Sequence, residues 1–162
     1  MLIALVACMA DDWTGVPWQP ADTGGTAVGA PSPLIGAWVS SGEDVSDLLA
    51  GPPFYYVSVD ATFDASGTYT VDATDTDGGL WPVRGSFDTT AGSPGTVLLA
   101  QTEPYEAEAI GIWQVEGDVL QWEVVQTVPD YGFTPPTPET GFGSSAGGGL
   151  VTGANLQTYR RP

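Results

Sequence analysis

From residue 34 onward the chain alternates apolar and polar side chains with a period of two, the mark of strands that bury one face. In FYYVSVDATFD (54–64), Tyr55, Val57, Val59, Ala61 and Phe63 fall on one face and Ser58, Asp60, Thr62 and Asp64 on the other. ASG (65–67) is a turn, and TYTVDAT (68–74) returns with Tyr69, Val71 and Ala73 inward. LWPVRGSFD (80–88) sets Trp81, Val83 and Phe87 against Pro82, Arg84 and Ser86, and TVLLAQT (96–102) follows. EAIGIWQV (108–115) and VLQWEVVQTV (119–128) flank the turn EGD, with Leu120, Trp122 and Val124 on one face and Glu123 on the opposite, solvent face. LIGAWVS (34–40) opens the series and NLQTYRR (155–161) ends it, which makes eight strands joined mostly by tight turns.

One stretch breaks the alternation. SSGEDVSDLLAG (40–51) predicts a short helix, with Ser41 or Ser46 as cap, acids in the first turn, and Gly51 with Pro52 and Pro53 to end it. The fold expected is therefore all-β: an eight-stranded up-and-down meander barrel over 34–162, with one short helix between the first two strands. Closure into a barrel removes both exposed sheet edges, and a two-sheet sandwich is the alternative. The long segment 129–153 is rich in Pro, Gly and Ser and fits no strand. It is expected to act as a lid over a barrel mouth, anchored by Tyr131, Phe133 and Phe142; a loop lying on the surface is the competing expectation.

Composition narrows the chemistry. The 162 residues hold three arginines, no lysine, no histidine and 20 acids, for a formal net charge of −17. Phosphate binding needs a basic patch, so nucleic acid is excluded as a partner, as is electrostatic docking on an anionic membrane. Without histidine, and with Cys8 as the one cysteine, neither a Ser-His or Cys-His pair nor a soft metal site can be built. The expectation is a non-enzyme without cofactor or metal. DATDTDGG (72–79) resembles a calcium loop only superficially. Gly78 at the sixth position puts Ala73 first and Arg84 twelfth, so the ligand pattern fails. What remains is an aromatic interior, with Tyr55, Phe63, Tyr69, Trp81, Phe87 and Trp122 expected to line any cavity inside the barrel.

The first residues have another character. LIALVAC (2–8) is a short apolar run ending at Cys8, with no basic residue before it. Leu5-Val6-Ala7-Cys8 resembles a bacterial lipobox, in which the cysteine becomes the lipidated first residue of the mature protein. That resemblance implies a signal remnant over 1–7 and a membrane anchor at Cys8, where several acyl chains give stable attachment. Residues 8–33, rich in Gly, Pro, Thr and Ala, then read as a flexible tether that includes Trp13 and Trp18. Met9 after the cysteine resembles the outer-membrane sorting pattern.

Gly36-Ala37-Trp38 in the first strand resembles the G-x-W signature of the lipocalins and related calycins. In that superfamily an arginine of the last strand stacks on the tryptophan and closes the barrel base. The resemblance implies this role for Arg160, with Arg161 the alternative. The hairpins ATFDASGTYTV and GIWQVEGDVLQWEV, and the terminal LQTYRR, are similar to those of bacterial lipocalin-like lipoproteins. The implied protein is a monomeric, lipid-anchored envelope protein carrying a small hydrophobic molecule. The alternative is a structural lipoprotein with a filled barrel that binds a protein partner through its loops.

Overall fold

The computed structural model describes residues 32–162. Cys8, the signal remnant 1–7 and nearly all of the 8–33 tether lie outside the described residues.

The chain runs through β1 (Gly36–Ser41), a 3-10 turn (Gly42–Asp44), the one-turn helix α1 (Asp47–Ala50), β2 (Tyr56–Phe63), β3 (Thr68–Asp75), β4 (Leu80–Thr89), β5 (Gly95–Glu103), β6 (Ala107–Glu116) and β7 (Val119–Val128). Two-residue strands β8 (Phe133–Thr134) and β9 (Ala146–Gly147) precede the last strand, β10 (Gln157–Arg160). Seven consecutive strands pair with their neighbours, and β10 closes the ring between β7 and β1 in an antiparallel barrel. This is the expected eight-stranded up-and-down barrel with a short helix between its first two strands. Closure leaves no unpaired edge among the eight.

Strand direction defines two ends. The base holds the start of β1, the β2–β3 and β6–β7 turns and the end of β10. The top holds α1, the β3–β4 turn and the start of the segment that follows β7. Inward faces carry Trp38, Val59, Ala61, Phe63, Tyr69, Ala73, Val83, Val97, Leu99, Leu120, Trp122, Val124 and Tyr159, all buried in one core. Leu48 and Leu49 of α1 pack on that core.

The alternation fails in one place. Tyr56 pairs with Asp75 and Ser58 with Thr74, so Val57 is an extra residue on β2. Such a bulge switches the faces of the strand on either side of it. Tyr56 therefore points inward and is buried, while Tyr55, expected inside, is 49% exposed with φ +52°. Val57 is exposed as well.

Segment 129–153 does contain strand, contrary to expectation: Phe133 pairs with Gly147 and Thr134 with Ala146. Gly147 has φ +82°, and a Cβ there would stand 2.0 Å from the Gly132 carbonyl oxygen, so only glycine fits this ladder.

Candidate functional site

The base is closed by stacked aromatic and cationic groups. Trp38 is fully buried and its Nε1 donates to the Leu34 carbonyl at 2.7 Å. Over its ring, 4.1 Å from the centroid, lies the guanidinium carbon of Arg161. The arginine that covers Trp38 is thus Arg161, and the expectation for Arg160 is corrected. Register explains it. Val39 pairs with Arg160, which places Arg161 across from Trp38 on the inward face and turns Arg160 outward, where it pairs with Asp44 at 2.7 Å. Arg161 also donates to the carbonyls of Ile35 and Pro33. Gly36 makes room for this: its φ is +123°, and a Cβ would stand 2.5 Å from Arg161 Nη1.

Above this layer Phe63 packs against Phe87 edge-on at 5.2 Å between centroids, against Trp122 at 5.1 Å and against Tyr69 at 6.4 Å. Phe63, Tyr69 and Phe87, expected to line a cavity, instead form an aromatic plug in the lower barrel.

Between the plug and α1 the interior opens. The cavity is lined by Ser46 and Leu49 from the helix region, Tyr56 and Val59 from β2, Val71 and Ala73 from β3, Val83 from β4, Trp122 and Val124 from β7, with Asn155, Gln157 and Tyr159 completing the wall. The cavity volume is about 40 Å³, room for roughly three waters. With its open approach included, the space free of protein atoms is about 490 Å³. Of the six aromatics expected to line it, Trp122 alone does so. Trp81 has the inward parity of Val83, but it is the second residue of β4, at the rim. It stands 43% exposed, and its Nε1 donates to Asp75 Oδ2 at 2.8 Å. Tyr56, which the bulge brings inside, was hidden behind its neighbour Tyr55 in the alternation.

The polar groups of this cavity are arranged at its top. Gln157 Nε2 donates to Ser40 Oγ at 2.6 Å, and Gln157 Oε1 accepts from Ser46 N–H at 2.8 Å, linking β1, β10 and the start of α1. Asn155 Nδ2 donates to the Val124 carbonyl. Burial pushes the phenols of Tyr56 and Tyr159 up, with Asp75 and Tyr105 adding at the first and Asp60 at the second, so both stay protonated. A smaller space of about 10 Å³ lies between Tyr69, Gln101, Ala109 and Gln126, beside the unpartnered Tyr69 hydroxyl and Gln101 Oε1. It is one water in size.

Segment 129–153 does not span the mouth. It lies on the outer wall of β7, where Glu123 faces away from the barrel and is nevertheless fully buried. The carboxylate accepts from Ser145 N–H at 2.9 Å, from Ser145 Oγ, and from Gly143 N–H. Its outward neighbours Ile112 and Val125 are also fully buried, outside the barrel core. Phe133 and Phe142 are half-buried in this flap and Tyr131 is exposed, so none of the three is placed as an anchor at the mouth. Contact with the top comes later, where the Ala154 carbonyl accepts from Leu48 N–H at 2.9 Å.

All three arginines are engaged: Arg84 with Asp72 at 2.7 Å on the outer face, Arg160 with Asp44, and Arg161 over Trp38. Among the described residues no group of three or more acidic or cysteine side chains is placed to hold a metal ion, and no helix is long and apolar enough to cross a membrane. No protein-family model matches the chain, and neither does any curated protein or solved structure compared with it.

Proposed function

We propose that this chain is a non-catalytic binding protein that carries a small hydrophobic molecule inside its barrel. The observation that carries the reading is the apolar cavity enclosed by a closed eight-stranded wall and roofed by α1. Barrels of this strand number are wide enough for one small ligand. The arrangement of Gly36, Trp38 and Arg161 supports kinship with the lipocalin-like lipoproteins. A lipid anchor at Cys8 would place the protein in the outer membrane of a bacterial envelope, as a monomer on a tether. A net charge of −17 argues against nucleic acid as a partner. Native mass spectrometry of protein purified from membranes tests the carrier role. A co-purifying small molecule, lost when Ala73→Phe fills the cavity, is the expected result; a bare mass at every preparation would sink it.

A second reading draws on the size of the cavity. Side chains fill most of the interior, which suits a structural lipoprotein that binds a protein partner through its loops. Tyr55, Val57, Leu80 and Trp81, all exposed around the top of β2 and β4, would then be contact residues. Their replacement by serine would abolish partner capture while leaving ligand content unchanged.

A further inference from the structure

Ser46 stands at the N-cap of α1 and does not cap it. A serine there ordinarily accepts from the backbone N–H two or three residues on. Those donors are occupied: Leu48 N–H by the Ala154 carbonyl and Leu49 N–H by the Ser46 carbonyl, each at 2.9 Å. Ser46 is 4% exposed, lines the cavity, and its Oγ has no hydrogen-bond partner. The Ala154 carbonyl, just after the flap, and the Ser46 carbonyl thus take the two donors and release the serine hydroxyl from its usual task. A buried hydroxyl in that state gains from any polar group a ligand brings to it.

The remaining wall is uncharged. No acid and no arginine lines the cavity, and Tyr56 and Tyr159 stay neutral. Both ends of the Gln157 amide are already bonded, as is Asn155 Nδ2. A carboxylate, phosphate or ammonium entering would leave water without a counter-charge, a cost that hydrogen bonds here do not offset.

We propose that the cavity takes an uncharged, short-chain amphiphile, with its apolar end among Val59, Val71, Val83 and Val124 and a single hydroxyl or carbonyl oxygen at Ser46 Oγ. The proposal deepens the carrier reading above and rests on it.

Three matched probes test it: pentane, 1-pentanol and pentanoate, added to the full chain at neutral pH and followed through the amide of Ala73 and the indole of Trp122 by NMR. Pentanol should bind roughly tenfold or more tightly than pentanoate. Ser46→Ala should weaken pentanol about three- to tenfold while leaving pentane unchanged. Pentanoate binding as tightly as pentanol overturns the proposal, as does a pentanol-to-pentane ratio that Ser46→Ala does not move. In both cases bound pentane would leave the carrier reading standing. If none of the three binds, the carrier reading falls and the proposal falls with it.

Discussion

Ser145 gives both its backbone N–H and its hydroxyl to Glu123, a carboxylate on the outward face of β7 that solvent does not reach. With the Gly143 N–H as a third donor, this carboxylate clasps the flap to the barrel wall. Glu123→Ala would strand three donors and is expected to cost about 2–4 kcal/mol in urea denaturation. Limited proteolysis should then cut within 131–150 before the barrel unfolds. Protection of that segment equal to the parent's would refute the clasp.

The two terminal arginines should separate cleanly in stability measurements. Arg160→Ala removes an exposed ion pair and should cost no more than about 1 kcal/mol. Arg161→Ala removes the cover of Trp38 and two bonds to backbone carbonyls, and about 1.5–3 kcal/mol is expected. Equal losses would show that the stacking contributes nothing.

Gly36→Ala should be as damaging as either arginine change, at about 2 kcal/mol or more, because the new Cβ meets both a positive φ and Arg161. Thermal unfolding of the double variant with Arg161→Ala would reveal the shared cause. Removing the arginine should relieve part of the alanine penalty.

Asp75 offers a pH handle. The Trp81 indole, then the Gly79 and Asp77 N–H groups, hold its carboxyl below the ordinary aspartate value. The folded value is the depressed one, so the stabilisation is present above the unfolded value and is lost as pH falls through the folded one. Trp81→Phe should raise the Asp75 value in a carbon-detected NMR titration and move acid unfolding to higher pH. An unmoved titration would remove the indole from the account.

Membrane attachment is testable by fractionation. Cys8→Ser should move the protein from the membrane to the soluble fraction and abolish labelling by a palmitate analogue. Retention at the membrane would defeat the anchor.

Much of this architecture is legible in the alternation itself, because a half-buried strand leaves its period on the residues it can use. The parts that are not legible depend on partners far along the chain. The bulge at Val57 is set by how β2 pairs with β3, and a one-residue slip there exchanges Tyr55 for Tyr56. The choice between Arg160 and Arg161 rests on the same parity at the end of a four-residue strand, where the buried residues are Gln157, a polar side chain, and Tyr159. The flap had a signal of its own. Ile112 on β6 and Val125 on β7 put apolar side chains on the outward face, as in strands covered on both sides. Ser46 is legible as a helix cap, but its free hydroxyl is not, since that follows from the Ala154 carbonyl accepting the Leu48 N–H.

The adjacency of β1 and β10 fixes how the molecule is presented. Pro33 and Leu34 join the barrel at its base, beside Arg161, while the cavity and α1 lie at the far end. The described chain therefore joins the barrel at its floor. A ligand reaching the cavity would thus enter from the end of the barrel opposite the one at which the chain arrives.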